Sequence, residues 1–287
     1  MGFSIKELTY KNKYLLFLTE QEYAGPWFSF KLYGEKVGTI PVILKNIEPT
    51  PIYKLVNSKK GTFVDRITLD FDIKEYLKKL MKEGKIDSIE FTREQLYIRL
   101  FIDVFNKPKV PYINTFFTFK NISDYDLVDF NIYFVFDFDI NGLEGFDNDL
   151  AGYDEINDIL YQYDNTNLHG GFSPISKSTH FETCLTRDFD INENHLNLSN
   201  TLYEEPGEIL SALQIEFKTL KPEQTFQTGL TVSGGSSKEE LIKNIRAGKS
   251  NAIKFLTQVN RNVKSKQRNL QEEAFVPLNL QEAKDCD

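Results

Sequence analysis

The chain has 287 residues, 40% of them hydrophobic and 26% charged, and its formal net charge is −8. This composition argues against a disordered chain, and the length allows one large β domain or two ordinary domains. The acidity argues against general binding to nucleic acid or anionic lipid, because both repel a negatively charged surface. With 24 Phe and 14 Tyr against one Trp, the aromatic content favours β-sheet.

Short alternating runs separated by turn residues dominate residues 1–233 and predict β-strands. The clearest runs are "LYIRLFIDVF", "YINTFFTFKN" and "LVDFNIYFVFDFDI", which predict an antiparallel meander. Some runs are apolar on both faces, which is typical of two sheets packed face to face. The predicted strands span residues 13–19, 27–33, 37–44, 62–71, 86–91, 95–105, 110–120, 127–140, 158–163, 178–188, 208–219 and 224–232.

A short helix is predicted in "DIKEYLKKLMKEG", where apolar residues recur at helical spacing and Gly84 ends the pattern. A long helix or helix pair is predicted from the capping box of Ser237 and Glu240. Gly248 is expected to kink or break it. The predicted organisation is a β-sandwich over residues 1–235, a helical segment over 236–270 and a loose tail over 271–287.

The number of cysteines and the N-terminal sequence predict the cellular location of the protein. Cys184 and Cys286 are too few for a disulfide framework. The apolar run "YLLFL" is too short for a signal peptide, and Lys6 stands where a myristoylation motif requires Ser or Thr. No run reaches membrane-spanning length. We therefore expect a reduced, cytoplasmic protein that binds neither membrane nor nucleic acid.

Two stretches carry a resemblance to a known family. In "FTFKNISDYDLVDFNIYFVFDFDINGLEGFDNDLAGYD", Asn121–Ser123 matches an "xxNxS" turn and Asp149–Asp154 a "DxAxYD"-like loop. With "EPGEILSALQIEFKTLKPEQTFQTGLTVSGGSSKEELIKNI", this resembles the N-terminal β-sandwich domain of prokaryotic glucoamylases of glycoside hydrolase family 15. The resemblance covers residues 90–260 and departs from the family's Gly-Glu order at Gln224. It implies a mainly β, antiparallel two-sheet super-sandwich of the galactose-mutarotase type with a C-terminal helical segment.

The resemblance also bears on activity. In the family, a helical barrel follows this domain and carries the catalytic glutamates, whereas this sequence continues with no such barrel. The resemblance implies a non-catalytic, carbohydrate-associated protein that binds or stabilises a separately encoded glycosidase barrel. The helix at 237–263, with its apolar stripe from Leu241 to Val263, is the candidate contact for that barrel or for a homo-oligomer. The alternatives are a sugar epimerase or mutarotase and an assembly protein that reuses the fold.

An acidic stretch after the longest strand suggests a calcium site. Carboxylates two positions apart on one strand face lie about 6–7 Å apart, close enough for one hard cation. An EF-hand is excluded, because the twelfth loop position is Asn148 and a strand precedes the loop. The competing interpretation is a solvated strand end. No cofactor other than calcium is expected, and its candidate ligands are Asp137, Asp139, Asn141, Asp147 and Asp149.

One pair of residues suits acid–base chemistry on a sugar. His180 and Glu182 share one face of the predicted strand "STHFETCLTRDF" and are the candidate catalytic residues of the epimerase alternative. A partly exposed strand histidine is the competing interpretation. His169 is expected in a flexible glycine-rich turn, and Cys184 is expected to be a small core residue rather than a nucleophile.

Overall fold

The computed structural model describes residues 7–17, 24–34, 38–43, 49–56, 63–91, 97–106, 110–145, 147–192 and 194–267. These residues form fifteen strands and two α-helices. In chain order they are β1 (Glu7–Tyr10), β2 (Lys13–Phe17), β3 (Ala24–Gly34), β4 (Gly38–Ile43), β5 (Pro49–Val56), β6 (Phe63–Asp72), α1 (Ile73–Lys82), β7 (Tyr97–Asn106), β8 (Tyr112–Ile122), β9 (Asp126–Asp137), β10 (Leu150–Asp154), β11 (Ile159–Tyr163), β12 (His169–Pro174), β13 (His180–Leu185), β14 (Ile209–Leu220), β15 (Thr225–Gly235) and α2 (Lys238–Gln267).

Two antiparallel sheets pack face to face. One has eight strands in the order β10-β11-β12-β15-β8-β7-β6-β5, and the other has five in the order β13-β14-β9-β3-β4. A separate hairpin joins β1 and β2. All strand pairs are antiparallel. The predicted mainly β two-sheet sandwich with a C-terminal helical segment is therefore confirmed.

Aromatic rings fill the space between the sheets. Alternation along β9 sends its phenylalanines inward, and Phe130 meets Phe119 of the opposite sheet with ring centroids 5.2 Å apart. Phe136 packs on Phe172 at 4.6 Å, and Phe28 meets Phe119 at 5.5 Å. Edge-to-face and stacked ring pairs at such separations add stability beyond that from burying the rings. They fix how the two sheets lie on each other.

The outer face of the five-stranded sheet is also covered. The chain between β13 and β14 folds back over it, and its apolar side chains pack on residues that alternation sends outward from the sheet. Trp27 and Phe189 meet edge to face at 5.8 Å. This second, smaller cluster consists of Tyr133, Val135, Phe189, Ile191, Leu198, Leu210 and Ala212. As a result β9 is buried on both faces over most of its length.

The predicted elements differ from the structure in several places. Residues 86–91 were predicted as a strand but form an irregular segment after α1. The "DxAxYD"-like segment was predicted as a loop but forms β10, since it pairs along its length with β11. The prediction of a flexible turn at His169 is wrong, because this residue begins β12 and is buried. Strands β1 and β5 were not predicted, because β1 has only four residues and β5 contains proline.

Helix α2 begins where the sequence predicted. The Glu240 backbone N–H donates to the Ser237 side-chain oxygen at 3.2 Å, which is the predicted cap. The prediction of a kink or break at Gly248 is wrong, because the helix runs without interruption from Lys238 to Gln267. Gly248 instead lies where the helix crosses the eight-stranded sheet. A Cβ there would lie 2.4 Å from Thr231 Cγ2 and 3.0 Å from Tyr112 Cδ2.

The first half of the apolar stripe on α2 is buried against the protein's own sheet. Leu241, Ile245 and Ala252 are at most 1% exposed, and Phe255 packs on Phe116 with ring centroids 4.9 Å apart. Ile253 is 48% exposed. The side chains of the stripe's last predicted members, at 259 and 263, lie outside those that the structure describes. A partner on this helix stays a prediction.

Replacing Gly248 with Ala should lower the free energy of unfolding by about 1–2 kcal/mol, because the new methyl group overpacks the contact with Thr231. On an exposed helix face, a change from Gly to Ala would instead raise the free energy of unfolding by about 1 kcal/mol. Thr231→Ser removes the clashing methyl but keeps the hydroxyl that donates to Asn114, so it should partly restore the stability of Gly248→Ala. Urea unfolding measures all variants.

Ser250→Ala, on the exposed face of the same helix, is the control and should change stability little. A Gly248→Ala protein as stable as the wild type would contradict the close approach of helix and sheet.

Candidate functional site

A cavity of about 590 Å³ opens on the outer face of the five-stranded sheet. Strands β3, β9 and β14 form its floor, and the segment after the Asn192–His195 turn forms its wall. The size lies within the range of small-molecule sites in proteins. The lining residues are Lys31, Asp129, Asn131, Asn194, His195, Leu196, Asn197, Leu198, Ser199, Glu216, Phe217 and Lys218.

One buried amide ties the wall to the floor. The Gln214 side chain is fully buried; its Nε2 donates to Asn131 Oδ1 at 3.2 Å and to Asn197 Oδ1 at 3.0 Å. Its Oε1 accepts from the Leu198 backbone N–H at 2.9 Å. Every hydrogen-bonding atom of this amide is therefore satisfied, as burial requires. Asn131 and Asn197, two of the three asparagines that line the cavity, are thus held in place from behind.

A buried tyrosine makes a second tie. The Tyr133 hydroxyl donates to the Leu196 carbonyl oxygen at 2.5 Å and accepts from the Ser29 hydroxyl at 2.8 Å. Burial raises the pKa of Tyr133 to about 12, so the hydroxyl keeps its proton at neutral pH. Strand pairing places Ser29 beside Asn131 and Trp27 beside Tyr133. The wall segment is thus anchored on three neighbouring strands.

The charges in the cavity are balanced. Lys31 Nζ lies 2.8 Å from Asp129 Oδ2, and both groups are solvent-accessible. Asp129 has a positive φ of 50°, and the register of β9 against β3 shifts beside it, which marks a β-bulge. Glu216 and Lys218 follow on β14. The cavity therefore offers cations, carboxylates and amides to a ligand without a strong net charge.

The predicted pair of β13 lies next to this cavity. His180 Nδ1 is 3.3 Å from Glu216 Oε1, a partner that the sequence analysis did not name. Glu182 accepts a hydrogen bond from the backbone N–H of Ser199 at 2.9 Å, which helps to position the wall. Both residues are half-buried on the outer face. His180 therefore has a carboxylate neighbour, whereas Glu182 holds the backbone of the wall segment.

The five calcium candidates are not gathered into one loop. Asp147 is exposed and accepts from the Asn148 side chain, whereas Asp137 and Asp149 are 2% and 0% exposed. The interpretation as a solvated strand end is therefore wrong for these two. Asn141 lies in a left-handed turn with φ of 69°, and Asp139 is half-buried. Among the described residues, no group of three or more His, Cys, Asp or Glu could hold a metal ion.

Burial changes the acidity of these carboxyl groups. It raises the pKa of Asp137 to about 8, with further increases from the charges of Asp139 and Glu208. It raises the pKa of Asp149 to about 9, where Asp164 contributes most among the neighbouring carboxylates. Burial also raises the pKa of the Cys184 thiol to about 12, so this cysteine is not an activated nucleophile.

Sequence reasoning missed most of the cavity. Lys31, Asn131 and Glu216 come from three strands that are distant in sequence, and only the sheet order brings them together. One sequence signal could have revealed them. Polar residues occupy the outward positions of strands whose inward positions are aromatic. Gln214 and Asn131 are of this kind.

No family model and no curated protein sequence matches the chain. Among solved structures, it is similar to a bacterial glucoamylase complexed with acarbose, with a TM-score of 0.53, 12% identity, and coverage of 85% of this chain and 31% of that one. At this identity the similarity shows the fold alone. A galactose mutarotase-like protein from Clostridium acetobutylicum also matches, with a TM-score of 0.40, 9% identity, and coverage of 80% and 75%.

The chain therefore shares its fold with part of the bacterial glucoamylase and spans about a third of that enzyme's length. Within the described residues, neither helix is both long and apolar enough to cross a membrane.

Asp137→Asn should flatten the pH dependence of stability. The folded state keeps this proton up to about pH 8 while the unfolded state releases it near pH 4, so the free energy of unfolding falls as pH rises between these values. The neutral amide removes this contribution, which reaches about 1.4 kcal/mol per pH unit at most. The stability of Asp137→Asn relative to wild type should thus increase from pH 5 to pH 8 and level off above.

Urea unfolding with a chelator present measures this difference. Asp147→Asn is the control, because the Asp147 side chain is exposed. Parallel pH profiles of Asp137→Asn and wild type would show that burial does not hold a proton on Asp137.

Proposed function

We propose that this protein is a non-catalytic, carbohydrate-binding β-sandwich whose ligand occupies the cavity on the five-stranded sheet. The observation that carries the proposal is the pre-formed arrangement of Asn131, Asn197 and Glu216 above the fully satisfied Gln214 amide. Sugar hydroxyls both donate and accept, so they need a surface that offers both. Amides, carboxylates and ammonium groups together provide it.

The charge balance favours a neutral sugar. Lys31 and Asp129 neutralise one another, and Glu216 stands near Lys218 on the same strand. The fixed wall reduces the ordering cost of binding, since its backbone is already tied to the sheet at Leu196 and Leu198. The fold shared with a domain of the glucoamylase supports the same ligand class as an analogy.

A second candidate function has one observation in its favour. His180 lies 3.3 Å from Glu216 at the edge of the cavity, and such a pair could transfer a proton to or from a bound sugar. This is the epimerase or mutarotase alternative, with His180 and Glu216 as the acid–base pair in place of His180 and Glu182. The role of binding or stabilising a separate glycosidase barrel stays a prediction.

Binding should be measured by calorimetry and saturation-transfer NMR with maltose, maltotriose, galactose and soluble starch. We expect saturable binding of at least one neutral sugar. Glu216→Ala should weaken it about tenfold or more, because a hydrogen bond to a charged group is worth about 1.5–3 kcal/mol. Glu205→Ala, an exposed acid that does not line the cavity, is the matched control.

The same samples distinguish the two functions. Polarimetry should show no acceleration of mutarotation by the wild type. An acceleration that His180→Asn abolishes, while sugar binding survives, would replace the binding function with the enzymatic one. Absence of binding to every sugar tested would overturn both.

A further inference from the structure

Among the described residues, three buried side-chain oxygens have no hydrogen-bond partner: Thr228 Oγ1 and two that lie on neighbouring chain segments. The latter two are Asp149 Oδ1 and Gln162 Oε1, and both side chains are fully buried. The remaining polar atoms of these side chains are used. Asp149 Oδ2 accepts from the Ile140 backbone N–H at 3.1 Å, and Gln162 Nε2 donates to the Ile209 carbonyl at 2.6 Å. Buried acceptors without a donor are rare in folded proteins, so each needs an explanation.

Strand register places the Asp149 and Gln162 side chains on one sheet face. Leu150 pairs with Tyr163, and Ala151 pairs with Gln162. Continuing this antiparallel register by one residue places Asp149 opposite Asp164. Residues opposite each other, and those two apart on one strand, share a sheet face. Asp149, Gln162 and Asp164 are therefore neighbours on one face.

This face points into the sandwich. Gln162 pairs with Gly170, where a Cβ would lie 3.1 Å from side-chain atoms of both Phe138 and Ile140. Ile140 is the residue whose N–H holds Asp149. The site is thus enclosed by the end of the aromatic core and lies between the two sheets, separate from the cavity on the outer face.

The electrostatics call for a positive charge. Asp149 is fully buried and Asp164 is 6% exposed. Asp164 accepts from the N–H and the hydroxyl of Thr166, and within the described part of the chain neither carboxylate forms an ion pair with Lys, Arg or His. Two opposed carboxylates in such a place require a proton or a cation between them.

We propose that Asp149, Asp164 and Gln162 form a buried Ca²⁺ site between the sheets. Two carboxylates neutralise the divalent charge, and the free amide oxygen of Gln162 adds an uncharged ligand. All three supply the hard oxygen donors that Ca²⁺ takes, and backbone carbonyls or water complete the six to eight positions. The site shares only Asp149 with the loop predicted from sequence, and draws its other ligands from β11 and the residue that follows it.

The test uses the full chain, freed of metal with EDTA and dialysed, with CaCl₂ titrated by calorimetry and by thermal unfolding. We expect saturable binding and a rise in Tm of at least about 3 °C at millimolar Ca²⁺. Asp164→Asn keeps the shape and the acceptor oxygen but removes one charge, so it should weaken Ca²⁺ binding at least about tenfold. Asp147→Asn, in the exposed loop, should leave binding unchanged.

NaCl at matched ionic strength controls for screening. The competing occupant is a proton on Asp149 that donates to Gln162 Oε1. In that case Ca²⁺ shifts the wild-type Tm by less than 1 °C, and Asp149→Asn is at least as stable as wild type. Either this result or a loss of Ca²⁺ binding in Asp147→Asn alone would overturn the proposal, and neither depends on sugar binding.

Discussion

The burial of β9 on both faces is the constraint on which the rest of the structure depends. Its inward phenylalanines set the spacing and register of the two sheets, because rings such as Phe130 and Phe136 interlock with rings of the opposite sheet. Strict alternation then sends Asn131, Tyr133 and Asp137 to the outer face. These polar side chains could have been left exposed to water. Here the chain between β13 and β14 covers them, and the edge of that cover forms the cavity.

Covering a polar face has a strict requirement, because each buried donor and acceptor must find a partner. The Gln214 side chain hydrogen-bonds the side-chain amide of Asn131, and the hydroxyl of Tyr133 hydrogen-bonds the backbone of the wall. These bonds fix the wall to particular residues of the sheet rather than only to an apolar patch. A cavity built in this way keeps its shape without a ligand.

The sequence predicted most of the fold because the fold depends on periodicity. Alternation over residues 127–140 located β9, and the helical spacing after Ser237 located α2. The failures have physical reasons. Gly248 has no side chain because Thr231 occupies that space, a long-range contact that a helix pattern cannot reveal. Residues of the "DxAxYD"-like segment are a strand because β11 pairs with them, and intrinsic propensity did not predict that pairing.

The site was less predictable than the fold. Local carboxylate spacing pointed to Asp137, Asp139 and Asp147, but a calcium loop requires its ligands to be near in sequence. Antiparallel pairing instead makes neighbours of residues on different strands, such as Ala151 and Gln162. Likewise, His180 was paired by sequence proximity with Glu182, whereas its nearest carboxylate, that of Glu216, lies on the adjacent strand. In a sheet protein, chemistry-bearing residues meet across strands, so register carries the information that local motifs lack.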